Sequence, residues 1–118
     1  MGFEFKNDIP IYIQIVEQVK RDIILGKYKS KEKIPSVREF SMEFAVNPNT
    51  IVKALTELEQ EGLIYTERTN GKFVTENQDI INKAKRESVS KTMEEFFSSM
   101  ALLGYDRESV IKMINGEK

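Results

Sequence analysis

The sequence predicts a mainly α-helical chain with one small β-hairpin: an N-terminal winged helix-turn-helix followed by a short C-terminal two-helix dimerisation segment. Three observations predict this fold class. Two short helical segments begin at residues 35–39 and 47–50, with a tight turn between them. An Asn70-Gly71 dipeptide between two β-prone segments favours a hairpin, because both residues tolerate a positive φ. Beyond Glu76, apolar residues again recur at three- and four-residue steps, which is typical of a helix.

The segment before the helix-turn-helix predicts a first helix. Pro10 suits the first turn of a helix, and Gly26 is a suitable C-terminal stop. The apolar stripe of this helix repeats every four residues: Ile11, Ile15, Val19 and Ile23. Residues 27–35 then form a lysine-rich loop that leads to Pro35. We therefore expect one helix packed on the motif and a basic connection after it.

The two helices of the motif carry their own start signals. Ser36 and Glu39 fit a capping box, in which each side chain satisfies a free backbone N–H group of the other residue. Asn47 followed by Pro48 is an equally good start for the second helix. Ala45 stands in the turn, where a left-handed backbone is common and a non-glycine residue costs up to about 1–2 kcal/mol. Small or apolar residues between these signals are expected to pack the helices together: Phe40, Phe44, Val46, Ile51 and Ala54.

The chain divides by pattern into a DNA-binding domain over residues 1–75 and an appendage over residues 76–118. In the appendage, Gly104 breaks a long helix and Asp106 caps a last one. The appendage is too small for a ligand-binding core of its own, so its apolar faces are expected to pack against a second copy. The residues predicted for this dimer interface are Val89, Met93, Phe96, Phe97, Met100, Leu103 and Tyr105.

Composition excludes several classes of site. The chain has no cysteine and no histidine, which removes disulfides, thiolate nucleophiles, Ser-His-Asp triads and zinc sites. Its glycines are isolated, so there is no glycine-rich phosphate loop. No apolar run approaches the roughly 20 residues that a membrane span needs, and the N-terminus lacks a signal-peptide pattern. We expect a cytoplasmic protein without a cofactor or a membrane partner.

The charge of the chain is close to balanced. It has 18 basic and 19 acidic residues, a formal net charge of −1, whereas many nucleic-acid binders are basic overall. The distribution matters more than the sum. Basic residues cluster before and within the first motif helix and around the hairpin tip: Lys27, Lys29, Lys31, Lys33, Arg38, Arg68 and Lys72. The sequence therefore predicts a basic stripe on a neutral body.

In combination these motifs resemble the winged-helix regulators of the GntR family, and the YtrA subfamily in particular. The resemblance covers nearly the whole chain. Its motifs are Pro10-Ile11-Tyr12 with Gln14, residues 34–39, residues 46–51, Leu58-Glu59 with residues 61–64, Gly71 with Phe73-Val74, and Gly104-Tyr105. The chain departs from the family pattern at Ser30-Lys31, where Pro-Gly is frequent, and at Ala45 and Thr69, where glycine is frequent.

The resemblance implies a homodimeric transcriptional regulator, usually a repressor, that binds double-stranded DNA. Members of this subfamily commonly act on genes for ABC transporters encoded beside them. A dimer would present two recognition helices to a pseudo-palindromic operator, with half-sites roughly one helical turn apart. The resemblance also allows for a small-molecule effector of unknown identity.

In winged helix-turn-helix geometry, the helix that begins at Asn47 enters the major groove. Asn49 could pair with adenine and Thr50 could bond a base edge, with Lys53 one turn further on. In the GntR family, the arginine that matches Arg38 contacts DNA. Lysine and arginine residues near the hairpin would add phosphate contacts, and Gly71 would let the wing approach a groove. The full predicted set is Lys33, Ser36, Arg38, Asn47, Asn49, Thr50, Lys53, Arg68, Gly71 and Lys72.

Two other functions remain open at this point. Some winged helices bind protein partners, and the near-neutral charge fits a protein–protein interaction module. A replication or partition adaptor would keep the DNA contact and change the role. An enzyme is disfavoured, because no pair of nucleophile and base can be assembled from these residues.

Overall fold

The computed structural model describes residues 3–117 and confirms the predicted fold class. Helices account for most of these residues, and the strands form one antiparallel hairpin. The elements in chain order are α1 (Ile11–Ile24), α2 (Val37–Phe44), α3 (Pro48–Gln60), β1 (Ile64–Glu67), β2 (Gly71–Val74), α4 (Gln78–Leu102) and α5 (Arg107–Ile114). Within the described range, no helix has the length and apolar character needed to cross a membrane.

The described chain forms two compact units that meet inside α4, the first ending at Ala84 and the second beginning at Lys85. The first turns of α4 belong to the first unit, because Ile81 and Ala84 are buried with its core. The predicted division after residue 75 marks the end of the hairpin instead. As a functional boundary, that division stays a prediction.

The core of the first unit lies between α1, α2, α3 and the hairpin. The apolar stripe of α1 turns inward as predicted, except that Ile11 at its start is exposed. Phe40 and Phe44 of α2 meet it, and α3 contributes an apolar face with the same three- and four-residue spacing. The most enclosed side chains are Ile15, Val19, Phe40, Ile51, Leu55, Leu58, Leu63, Ile64 and Val74. This core fixes the positions of α2 and α3 relative to the hairpin.

The helix starts and the turn of the motif have the predicted local geometry. The Ser36 hydroxyl accepts a hydrogen bond from the Glu39 backbone N–H at 3.1 Å, and the Glu39 carboxylate accepts one from the Ser36 N–H at 2.8 Å. Ala45 ends α2 in the left-handed region, with φ 56° and ψ 49°. The Ser41 hydroxyl donates to the carbonyl oxygen of Val46 at 2.6 Å, which closes the turn.

The hairpin pairs Ile64 with Val74 at one end and Glu67 with Gly71 at the other. Its turn is longer than the Asn70-Gly71 dipeptide alone: residues 68–70 connect the strands, and Gly71 begins β2 with φ +102°. A three-residue connection of this kind needs a residue with positive φ at its end, which explains the glycine.

The end of the predicted lysine-rich loop, residues 31–34, pairs with β2 through backbone hydrogen bonds and extends this small sheet. The Lys31 N–H donates to the carbonyl oxygen of Val74 at 2.9 Å, and the Val74 N–H donates to that of Glu32 at 2.9 Å. The Ile34 N–H donates to the carbonyl oxygen of Lys72 at 3.0 Å. Lys31 turns the chain into this edge with φ 68°, the conformation that glycine adopts most easily. The segment 31–34 is thus ordered by β2.

The second unit contains the rest of α4 and all of α5. The Asp106 carboxylate accepts from the Ser109 N–H at 2.8 Å and caps α5 as predicted, and these bonds lower the pKa of Asp106. Arg107 binds the carboxylate of Glu94 at 3.0 Å and lies over the Phe97 ring, 4.1 Å from its centroid. Several large apolar side chains of this unit are exposed in the single chain: Val89, Met93, Phe96, Leu102, Leu103, Tyr105, Ile111, Met113 and Ile114.

Candidate nucleic-acid interface

The outward face of α3 is a narrow stripe without a carboxylate. After Pro48 at its start, the exposed side chains of the helix are Asn49 and those three, four, seven and eleven residues after it, so they share one side of the helix. We call them the α3 stripe: Asn49, Val52, Lys53, Thr56 and Gln60. The opposite side of the helix carries the buried residues Ile51, Ala54, Leu55 and Leu58. A polyanion could therefore approach this face without meeting a negative side chain of the stripe.

Two of the three acids near the end of α3 are paired with lysines from other elements, and the third, Glu57, is half-buried. Glu59 accepts from the Lys72 ammonium at 3.0 Å and from the Thr66 hydroxyl at 2.9 Å. The bond from Lys72 is the main reason that the pKa of Glu59 is lowered. Glu61 lies 3.0 Å from the ammonium of Lys20 in α1. Burial by itself would lower the pKa of Lys20, but the hydrogen bonds and charges of its glutamate partners raise it overall.

Lys53 is held on one flank of the stripe by α1. Its ammonium lies over the ring of Tyr12, 4.1 Å from the centroid. A cation over an aromatic face at this distance gains about 0.5–1 kcal/mol at an exposed site. Tyr12 therefore restricts where this flexible lysine places its charge, and Lys53 remains exposed beside Asn49.

The starts of α2 and α3 both use polar side chains as caps. The Asn47 side-chain oxygen accepts from the Asn49 backbone N–H at 2.8 Å, as the cap prediction required. Asn49 is exposed, whereas Thr50 is half-buried. At α2, the bonds that Glu39 accepts from Ser36 lower the pKa of Glu39. Ser36 and Arg38 are both exposed at this helix start.

The wing, which consists of the hairpin of β1 and β2 and the adjoining residues 31–34, contains the remaining predicted residues, and they differ in exposure and contacts. Lys33 lies against Gly71, because a Cβ atom built on that glycine would be 3.0 Å from the Lys33 Cε atom. Arg68 is exposed in the connection between the strands. Lys72 is half-buried, and its ammonium also bonds the Thr66 hydroxyl at 2.7 Å. The Lys72 ammonium thus already has two partners inside the first unit, unlike the exposed Arg68.

Several residues that shape this surface were missed by the sequence reasoning. Val52 and Thr56 could have been found, since they follow Asn49 by three and seven positions on the same helix face. Tyr12, Lys20 and Glu59 could not, because their roles depend on contacts between distant elements. In the described range, no cluster of acidic residues is arranged to hold a metal ion.

Comparison with known proteins identifies the fold more closely. The family model "Bacterial regulatory proteins, gntR family" matches residues 11–74, which run from the start of α1 to the end of β2. The chain belongs to the gntR family. The predicted family is therefore confirmed, and with it the prediction that the chain is a transcriptional regulator of this family.

Relatives of this gntR-family chain include characterised and uncharacterised regulators. It is 32% identical to the HTH-type transcriptional regulator YhcF of Bacillus subtilis over 114 residues, which cover 97% of this chain and 94% of YhcF. It is 44% identical to the HTH-type transcriptional repressor YtrA of the same organism over 72 residues, which cover 61% of this chain and 55% of YtrA. The resemblance to YtrA that the motifs indicated is thus present in the sequence match.

Solved structures of other proteins superpose on the chain. A GntR family transcriptional regulator from Listeria monocytogenes matches with a TM-score of 0.83 and 36% identity, covering 97% of this chain and all of that one (100%). The DNA-binding domain of AraR, solved in complex with an operator, matches with a TM-score of 0.58 and 32% identity. That match covers 64% of this chain and 99% of the AraR domain.

Proposed function

We propose that this regulator binds a pseudo-palindromic operator as a homodimer and represses transcription, with α3 of each copy in the major groove. The observation that carries the proposal is the α3 stripe, which is exposed, contains no acid and includes Lys53. The operator complexes of the related AraR domain support the same use of this fold. The stripe explains how a chain of net charge −1 offers DNA a favourable surface.

Base recognition is assigned to the first turns of α3. Asn49 is exposed there, and an asparagine side chain can pair with both N6 and N7 of adenine. Thr50 is half-buried beside it, and Lys53 is aimed by Tyr12. Asn47 presents the start of the helix, where free N–H groups and the helix dipole attract a phosphate.

Contacts to the phosphate backbone of the DNA are assigned to residues outside α3. Arg38 and Ser36 stand at the start of α2, where a phosphate would meet a guanidinium and the end of a helix. Lys33, Arg68 and Gly71 belong to the wing, and each lies at the surface of the hairpin or its edge. Lys72 stays in the proposed set, but it would have to leave Glu59 to reach a phosphate.

Dimerisation is assigned to the second unit. Val89, Met93, Phe96, Leu103 and Tyr105 are exposed in the single chain, and burial of such side chains is the usual driving force for association. Phe97 and Met100 are half-buried within their own unit, so less of their side-chain area would be buried by the partner. A symmetric pair of these units would give the two-fold arrangement that a pseudo-palindrome requires.

The cellular role follows from the resemblance to the YtrA subfamily. We infer a cytoplasmic repressor of neighbouring transporter-type genes that works without a catalytic group. A protein–protein module has no comparable support, because the relatives named above are transcriptional regulators and one related domain is bound to an operator.

The test is a fluorescence-anisotropy titration of the full chain against its own upstream intergenic DNA, with scrambled DNA as competitor, at two salt concentrations. Specific binding that weakens as salt rises is expected, because phosphate contacts release counterions. Equal affinity for both sequences would contradict the proposal.

The same assay tests Arg38. Arg38→Ala is expected to weaken operator binding by about 10- to 100-fold, because a hydrogen bond between a guanidinium and a phosphate contributes about 1.5–3 kcal/mol. Arg21→Ala, which removes an exposed arginine of α1, is the control and should leave the affinity unchanged. Sedimentation should show the same oligomer for both variants. An unchanged affinity for Arg38→Ala would remove this residue from the DNA-contact set.

A further inference from the structure

Val52 is an apolar side chain on the face of α3 that is otherwise polar. α3 lies wholly in the described range, and its other aliphatic residues are buried with at most 1% exposure, whereas Val52 is 49% exposed. It lies one turn after Asn49 and one turn before Thr56 on the α3 stripe. Packing within the single chain therefore leaves about half of this side chain available to another molecule.

Neither helix stability nor core packing accounts for a valine at this position. A β-branched residue lowers helix propensity because its side chain is restricted against the preceding turn. An exposed apolar group also gains nothing from water exclusion until something covers it. An alanine or a glutamine in place of Val52 would keep this helix surface equally soluble.

Two neighbours of Val52 on the α3 stripe, Lys53 and Thr56, have polar groups that already make a contact within the chain. The Lys53 ammonium lies over Tyr12. The Thr56 hydroxyl donates to the carbonyl oxygen of Val52 itself at 2.8 Å, so its proton is used inside the helix. These contacts leave Val52 as an apolar element on the same face as Asn49.

We propose that Val52 contacts the C5-methyl group of a thymine and is a specificity-determining residue of this regulator. The argument rests on the proposed function, in which α3 lies in the major groove. The edges of the four base pairs display donors and acceptors there, and the thymine methyl is the largest apolar group among them. An apolar side chain on the recognition face is therefore matched best by a thymine.

The experiment removes the methyl group from the DNA and the side chain from the protein. A duplex is first selected from a random-sequence pool with the full chain. Each thymine of its protected half-site is then replaced by deoxyuridine, which lacks the methyl group and keeps the hydrogen-bonding edge. Affinities of the wild type and of Val52→Ala are measured for every duplex. Val52→Ala should fold normally, because alanine favours an exposed helix more than valine does.

At one thymine per half-site, deoxyuridine is expected to weaken wild-type binding about fourfold, as for the loss of one buried methyl group. Val52→Ala should bind the thymine and the uracil duplex equally. Leu25→Ala, which truncates an exposed side chain outside α3, is the matched control and should keep the wild-type discrimination.

Two results would overturn the inference. The first is a deoxyuridine effect that is the same in the wild type and in Val52→Ala, or that occurs at no thymine. The proposed function survives that result if the wild type still binds the selected sequence specifically and Asn49→Ala does not. The second is a pool that yields no preferred sequence, which would overturn the proposed function and the role of Val52 together.

Discussion

The two units of this chain treat their apolar residues in opposite ways. In the first unit, Phe40 is 1% exposed and belongs to a continuous core that also includes α1, α3 and the hairpin. In the second unit, Phe96 is 44% exposed, and Val110 is the buried member of a face that is otherwise open. A unit with an enclosed core is stabilised by its own packing. A unit with an open apolar face gains comparable stabilisation only by association.

The largest effect is expected from a matched pair of truncations, Phe40→Ala and Phe96→Ala. Removing a buried phenylalanine costs about 3–5 kcal/mol, because apolar burial is lost and a cavity remains. Phe40→Ala should therefore unfold much of the first unit. Phe96→Ala should leave the unfolding of the first unit unchanged and weaken only self-association. Urea titration followed by the fluorescence of the tyrosines, together with light scattering, measures both. Equal losses of unfolding free energy would remove the distinction between the units.

A charge at the open face sharpens the comparison. Phe96→Asp is expected to raise the dimer dissociation constant at least about 100-fold, because an unpaired carboxylate is costly in an apolar interface. Sedimentation equilibrium at low micromolar concentration should then find monomers with an intact first unit. Glu95→Asp, at the neighbouring exposed position, is the control and should remain dimeric. A stable Phe96→Asp dimer would show that the interface lies elsewhere.

The smallest effect is expected at the polar edge of the first unit, where Glu59 meets Lys72. The pKa of Glu59 is lowered in the folded chain, so its ion pair stabilises the fold fully above the ordinary glutamate pKa of 4.5. That contribution is lost as the pH falls through the lowered pKa. Since Glu59 is partly exposed, the contribution is below about 1 kcal/mol.

Glu59→Gln removes the charge and should flatten this part of the pH dependence. The measurement is the free energy of unfolding at pH 7 and at pH 3 for the wild type, for Glu59→Gln and for Glu57→Gln. The last variant carries the same change at a half-buried glutamate of α3 and should retain the wild-type slope. Identical slopes for all three proteins would show that the ion pair does not form in solution.

Local signals were sufficient for most elements of the fold. The capping box of Ser36 and Glu39, the cap at Asn47 and the left-handed Ala45 depend on residues within a few positions of each other, so the sequence predicts them well. The pairing of residues 31–34 with β2 was not predicted. Its bonds join residues 31–34 to β2, and no local pattern encodes the register of segments so far apart.

The candidate interface divides in the same way. Asn49 and Lys53 follow from the helix pattern alone. The ring of Tyr12 beneath Lys53, and the lysines that neutralise Glu59 and Glu61, come from other elements and required the tertiary structure. The overall charge of the chain gave little guidance, because those pairs decide which charges face outward.

The sheet edge at residues 31–34 leads without a spacer into the motif. The Ile34 N–H is bonded to β2, and Ser36, two positions later, caps α2. Because only Pro35 separates these two bonded residues, a displacement of β2 should also move the start of α2. The wing and the helix-turn-helix should therefore dock as one rigid body, and an operator that fits only one of them would strain the backbone at Pro35.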